Sequence, residues 1–88
     1  MVTHQKEQKT SDKISAREAA EAASRFYSEA TGTFPRISLE ELEYLDGFWY
    51  VTLSIDKGTL YEQKDFKSFK VHGKTGNVES MLVKKHDF

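Results

Sequence analysis

The dipeptide Asp46-Gly47 lies between two strand-like runs and is the strongest short-range hairpin signal in this chain. A two-residue type I′ turn needs positive φ at both central residues, which Gly adopts freely and Asp tolerates. If these residues form the loop, Leu45 faces Phe48 across it. Residues 42–55 are therefore predicted to form two antiparallel strands with a fixed register.

That register separates apolar from polar side chains, because opposed residues share one face of a sheet. The predicted apolar face comprises Leu42, Tyr44, Trp49, Val51, Leu53 and Ile55. The predicted polar face comprises Glu41, Glu43, Tyr50, Thr52 and Ser54. A slip of one residue would expose the apolar set, so the register is strongly specified. Ile37 and Leu39 fall out of phase with this pattern, and the mismatch predicts a β-bulge near Glu40-Glu41.

One amphipathic helix is predicted before the hairpin. Residues 15–18, Ser-Ala-Arg-Glu, form a capping box in which side chains of Ser15 and Glu18 each accept from the other's backbone amide, so the helix should begin there. Gly32 is placed to end it, and Pro35 prevents its continuation. Its apolar stripe has helical spacing and consists of Ala16, Ala19, Ala20, Ala23, Phe26, Tyr27 and Ala30.

Two further strands are predicted at residues 64–72 and 77–84, joined by the turn 73–76. With a four-residue loop, Val71 pairs with Val78. The residues that this register turns toward the helix are Phe69, Val71, Val78 and Leu82. Those that it turns to the opposite face are Phe66, Met81 and Val83. The predicted fold class is α+β, with one N-terminal helix packed on a four-stranded antiparallel meander sheet in the order α-β-β-β-β.

The 88-residue length is enough for one domain. Residues 1–13 are polar and without periodicity, so we expect a disordered tail there. Residues 14–85 are expected to form the single domain, with a C-terminal tail at residues 86–88. A loop is expected at residues 56–63.

The helix opening ISAREAAEAA, the DG-W hairpin and the final hairpin V-x-x-KTG-x-V resemble PepSY and PepSY-like domains. The resemblance covers roughly residues 14–83. It implies a small cystatin-like fold with one helix against an antiparallel sheet. It also implies an inhibitory or regulatory binding role, and it brings no catalytic residues.

Composition disfavours several classes of function. The net charge of −1 gives no bulk attraction to nucleic acid or anionic lipid. The absence of cysteine excludes disulfides and thiol chemistry and removes the commonest zinc ligands. No apolar run approaches the roughly 20 residues that cross a bilayer, and the N-terminal residues have no signal-peptide stretch. The expectation is a cytoplasmic protein with no membrane partner and no cofactor.

No arrangement of polar residues predicts catalysis. Three glutamates lie within residues 40–43, but they are expected on a solvated edge strand rather than in an acid/base or metal site. His4, His72 and His86 lack the spacing of metal ligands and are expected to be ordinary surface histidines. The chain has no G-x-S-x-G motif and no glycine-rich phosphate loop. The prediction is that the protein is not an enzyme.

The sheet face away from the helix is the predicted site, because apolar groups on an uncovered face often mark an interface. The predicted partner-binding residues are Phe48, Tyr50, Tyr61, Phe66, Met81 and Val83. The principal hypothesis is a non-enzymatic binding or regulatory module that uses this face and the 56–63 loop, with an unknown protein or a second copy as partner. One alternative is a nucleic-acid-binding domain using the strands from Lys64 to Lys85, which hold six lysines against two acids. Another is a peptidase-inhibitor-like or small-ligand-binding domain.

Overall fold

The computed structural model describes residues 13–56 and 64–83. Its elements are the helix α1 (Ala16–Thr31) and the strands β1 (Arg36–Leu45), β2 (Phe48–Asp56), β3 (Lys64–His72) and β4 (Val78–Val83). The four strands form one antiparallel sheet in the order β1-β2-β3-β4, and α1 packs on one face of it. The predicted helix-on-meander α+β fold is confirmed. The predicted tails, apart from Lys13, and the loop residues 57–63 lie outside the described residues.

Both ends of α1 have the predicted caps. The Ser15 hydroxyl accepts from the Glu18 amide at 3.1 Å, and the Ser15 amide donates to the Glu18 carboxylate at 2.8 Å. At the other end Gly32 adopts a left-handed conformation with φ of 72° and donates its amide to the carbonyl of Ser28. Local sequence chemistry therefore determines both helix boundaries.

The first hairpin has the predicted turn and the predicted bulge. Asp46 and Gly47 have φ values of 50° and 88°, and Leu45 pairs with Phe48 across them. Further along, the β1–β2 pairing shifts by one residue, which leaves Glu40 as the extra residue. The shift places Ile37 and Leu39 opposite Ile55 and Leu53, so that β1 turns apolar side chains toward the helix on both sides of the bulge.

The second hairpin contains a bulge that the sequence pattern did not predict. Val71 pairs with Val78 as predicted, but Lys70 pairs with Ser80 rather than with Glu79. Glu79 is therefore an extra residue, and each later pair is displaced by one.

This second bulge reverses the predicted orientation of the end of β4. Met81 lies opposite Phe69 and packs against the core, and Val83 lies opposite Lys67 on the same side. Leu82 is on the face away from the helix and is 64% exposed. The predicted orientations of Met81, Leu82 and Val83 were wrong. All three residues are apolar, so a two-residue period does not reveal which of them faces the core.

The core lies between α1 and the centre of the sheet. Its fully buried apolar residues are Ala19, Ala23, Val51, Leu53, Ile55, Phe69 and Val71. The two alanines let the helix approach the strands closely. Toward the helix C-terminus the Phe26 ring meets Phe69 edge to face, with ring centres 6.4 Å apart.

Three distant segments are joined by hydrogen bonds at one end of the sheet, which we name the turn junction (Ile14, Gly47, Trp49 and Gly73). The Gly73 amide donates to the Gly47 carbonyl at 2.9 Å, and the Ile14 amide donates to the Gly73 carbonyl at 2.7 Å. The Trp49 indole N–H donates to the Ile14 carbonyl at 3.1 Å. The segment before α1 is thereby fixed to both hairpin turns.

We expect Gly73→Ala to lower the free energy of unfolding by about 2–3 kcal/mol through overpacking. An added Cβ would lie 2.6 Å from the Gly47 carbonyl oxygen and 2.9 Å from a ring carbon of Tyr44. Urea unfolding measures the loss.

Gly32→Ala is the matched control for Gly73→Ala. An added Cβ at Gly32 meets nothing within 4 Å, so the variant loses only the left-handed preference of glycine, about 1 kcal/mol. Equal small losses in the two variants would contradict the steric argument at Gly73.

Candidate functional site

The sheet face that α1 does not cover is named the open face. It is made of alternate β2 residues, of the residues paired with them on β1 and β3, and of two β4 residues. The β2 and β4 members are Phe48, Tyr50, Thr52, Ser54, Asp56, Ser80 and Leu82.

Apolar and aromatic groups lie at one end of the open face, next to the hairpin turns. Phe48 is half-buried, and Leu45, which pairs with it, is 51% exposed. The Phe48 ring packs edge to face on His72, with ring centres 5.3 Å apart. The Lys70 ammonium lies 4.3 Å from the centre of the Phe48 ring, in a cation–π contact. These contacts hold Phe48 and Lys70 in place.

The middle of the open face is a floor of small hydroxyl side chains. Thr52 and Ser54 are only 5% and 1% exposed although they lie on the face away from α1. The Ser54 hydroxyl donates to the carboxylate of Glu40 at 2.8 Å, so the bulge in β1 supplies part of this cover. A shallow depression of about 400 Å³ lies over Thr52 and Ser68 beside Tyr50. Small residues between larger ones thus create a dip in the sheet.

Sequence patterning placed Thr52 and Ser54 on the polar face but did not predict that they are buried. The available signal was the size contrast along β2, where Thr52 and Ser54 follow Phe48 and Tyr50 on the same face. To predict the burial of Ser54 from this size contrast, its pairing with Phe66 on β3 must also be known, and the sequence does not determine that pairing.

Charged groups on the open face lie in rows that cross the strands. One row across the strands consists of Glu43, Tyr50 and Lys70, with the acid on β1 and the base on β3. A second row at the far end places Asp56 between two cations, Arg36 and Lys64. With Glu41 included, the face carries three basic and three acidic side chains besides the carboxylate of Glu40.

The lysines of the 64–85 segment that the structure describes do not form one basic surface. Lys64 and Lys70 share the open face with carboxylates, whereas Lys67 is on the helix side and Lys74 is in the turn. The local excess of positive charge in the sequence is therefore divided between two faces.

Three of the six predicted partner-binding residues, Phe48, Tyr50 and Phe66, lie on the open face. Met81 and Val83 lie on the helix side, which is a correction, and Tyr61 lies outside the described residues. Two apolar members that the prediction omitted are Leu45 and Leu82. The Glu79 bulge turns Leu82 to this face, and the pairing of Leu45 with Phe48 puts Leu45 there.

Neither family models, nor curated proteins, nor solved structures match this chain. The resemblance to PepSY domains therefore stays a prediction.

The acidic and histidine side chains of the described residues do not form a metal site. Within residues 13–56 and 64–83, no group of three or more His, Cys, Asp or Glu is placed to hold a metal ion. His72 accepts from the backbone amides of Lys74 and Thr75 through Nδ1 and so stabilises the turn before β4. No helix in the described part of the chain is long and apolar enough to cross a membrane. The predictions on catalysis, cofactors and compartment stay predictions.

Proposed function

We propose that the protein is a non-enzymatic binding module that takes a protein partner on its open face. The observation that supports this proposal is the difference between the two faces of the sheet. The helix α1 covers one face, whereas the other presents half-buried Phe48 and Tyr50 and the exposed Leu82 among charged side chains. Aromatic and aliphatic groups set among polar ones are typical of protein–protein interfaces.

The charges on the open face favour a protein over a nucleic acid. A polyanion would meet the carboxylates of Glu41, Glu43 and Asp56 beside the lysines, and phosphate binding depends on uncompensated positive charge. A protein surface can carry both signs around an apolar centre, which matches this face. The 400 Å³ depression is open to solvent, which gives a small ligand little enclosure.

The regulatory part of this proposal comes from the resemblance to PepSY domains. Those domains are thought of as inhibitory or regulatory binding modules on a helix-on-sheet fold. This chain has the same element order of one helix followed by four antiparallel strands. Partner binding on the open face would give such a module its activity without any catalytic residue.

Site-specific photo-crosslinking tests the proposed function. A photoreactive phenylalanine analogue is introduced at Leu82 on the open face and, as the matched control, at Glu21 on the exposed side of α1. Irradiation in an extract of the source cells is expected to give a defined protein adduct at Leu82 and none at Glu21. Mass spectrometry then identifies the adduct as a second copy of the chain or as a different protein.

The captured protein is purified, and its affinity is measured for the wild type and for Tyr50→Glu. We expect the variant to bind at least about tenfold more weakly, because it introduces a charge at the centre of the face. Circular dichroism confirms that the variant is folded. No adduct at Leu82, equal adducts at both positions, or unchanged affinity would overturn the proposal.

A further inference from the structure

The depression in the middle of the open face brings acidic, aromatic and hydroxyl groups together. Its lining residues are Glu41, Leu42, Glu43, Tyr50, Thr52 and Ser68. None of these described residues is basic. Glu41 and Glu43 are two positions apart on β1, so their side chains leave the strand in the same direction about 7 Å apart. The β1 side of the depression is therefore negatively charged.

The floor of the depression holds a hydroxyl that the chain leaves unpaired. Thr52 is 5% exposed, and its hydroxyl forms no hydrogen bond with any residue that the structure describes. Every fully enclosed polar side-chain atom in the described ranges does have a partner. The Thr52 hydroxyl is therefore not fully enclosed, and it opens into the depression that Thr52 lines. A group that donates a hydrogen bond there would satisfy it.

Tyr50 adds an aromatic ring beside the carboxylates. It is half-buried and pairs with the exposed Glu43 across β1 and β2. The Phe48 ring already contacts His72 and the Lys70 ammonium, whereas the Tyr50 ring has neither kind of contact with any described residue. An aromatic ring next to a carboxylate favours a cation, because both the ring face and the carboxylate attract positive charge.

The basic side chains of the open face lie outside the depression. The Lys70 ammonium is 4.3 Å from the centre of the Phe48 ring, toward the hairpin turns. Arg36 and Lys64 flank Asp56 at the far end of the face. A cationic group that enters the depression therefore meets carboxylates at its wall and no base among the lining residues.

We propose that the depression takes an arginine side chain of the protein partner. This inference rests on the proposed function and names the chemistry that recognises the partner. A guanidinium is planar and has five N–H donors, so it stacks on the Tyr50 ring while it donates to Glu43 and to the Thr52 hydroxyl. A lysine ammonium is compact and has no flat face for the ring, so it fits the same groups less well.

Titration with short capped peptides, followed by nuclear magnetic resonance, tests this site. The probe is acetyl-Gly-Arg-Gly-amide, and two matched peptides replace the arginine by lysine or by citrulline, which has a similar shape but no charge. We expect saturable shifts of the backbone amides of residues 41–43 and 50–52, with a Kd of roughly 1–10 mM for a single side chain. The citrulline peptide should bind at least about tenfold more weakly, and the lysine peptide about threefold more weakly.

Two variants remove one proposed contact each. Glu43→Gln removes an exposed carboxylate, and we expect it to weaken the arginine peptide about threefold. Thr52→Val replaces the hydroxyl by a methyl group of similar size, with an expected loss of about threefold. Glu21→Gln, which makes the same change on the exposed side of α1, should leave the affinity unchanged. Thermal melts followed by circular dichroism verify that every variant is folded.

The protein captured at Leu82 should show losses in the same variants, at least about fivefold for Glu43→Gln combined with Thr52→Val. Equal affinity for the arginine and citrulline peptides, equal affinity for the arginine and lysine peptides, or unchanged affinity in both variants would overturn the inference. An adduct at Leu82 with a protein that binds the combined variant as tightly as the wild type would sustain the proposed function while removing this inference. Absence of both adduct and peptide binding would remove both.

Discussion

Phe69→Ala is expected to lower the free energy of unfolding by about 3–5 kcal/mol, the usual cost of truncating a core aromatic. Phe69 is fully buried at the centre of β3. It meets Phe26 of α1 edge to face and Met81 of β4 as its strand partner, so its ring joins the helix to the last strand. A domain of this size has only about 5–15 kcal/mol of stability, so the variant should be largely unfolded in mild denaturant.

Phe48→Ala is the matched control on the opposite face of the sheet. Phe48 is half-buried and packs on His72 and Lys70 rather than against α1. We expect a loss of about 1–1.5 kcal/mol, in proportion to its partial burial. Urea unfolding is compared at a concentration where the chain is monomeric. Equal large losses would mean that the open face is covered within one chain, and the interface proposal would then be wrong.

The parts of the fold that the sequence predicted depend on local chemistry. The Asp46-Gly47 turn needs two residues that accept positive φ, and both ends of α1 have side chains or glycine at the cap. Each of these signals lies within four residues of the feature that it determines. The apolar faces of α1 and of the first hairpin would each be exposed to water alone. The helix is therefore expected to pack on the sheet.

The two bulges show where patterning stops being informative. The apolar side chains of β1 that face the helix are at odd-numbered positions before Glu40, as at Leu39, and at even-numbered positions after it, as at Leu42. This change in the alternation made the bulge predictable. After Glu79, apolar residues occupy both odd- and even-numbered positions, so the sequence shows no change in the alternation. Met81 packs beside Phe69 in the core, and this tertiary contact determines which side chains of β4 face the helix.

The candidate site was predictable only as a face. The hairpin register assigned Phe48 and Tyr50 to the side away from the helix, and this is confirmed. The row that joins Glu43, Tyr50 and Lys70 also needs the register between β2 and β3. Residues 57–63 separate those two strands, so a two-residue turn signal does not fix their pairing.

Trp49→Ala is expected to cost about 3–5 kcal/mol, although the side chain is only half-buried. The indole ring packs on Tyr44 with ring centres 5.0 Å apart, and its N–H donates to the carbonyl of Ile14. The ammonium of Lys13 also lies 4.1 Å from the centre of the Tyr44 ring. Truncation therefore removes a large apolar contact and releases the segment before α1.

Trp49→Phe separates the hydrogen bond from the ring contact. It keeps an aromatic ring beside Tyr44 but loses the indole donor to Ile14, so we expect a smaller loss of about 1 kcal/mol. Far-UV circular dichroism is the readout for both variants, because Trp49 is the only tryptophan and its fluorescence disappears with it.

Combining Trp49→Ala with Gly73→Ala tests whether the turn junction acts as one unit. A Cβ at Gly73 would displace the backbone whose carbonyl accepts from the amide of Ile14, and Trp49 donates to the carbonyl of Ile14. We therefore expect both changes to loosen the same segment. The double variant should therefore lose at least about 0.5 kcal/mol less than the sum of the single losses. Strict additivity would show that the two residues stabilise the fold independently, and the junction would then be two separate contacts rather than one structure.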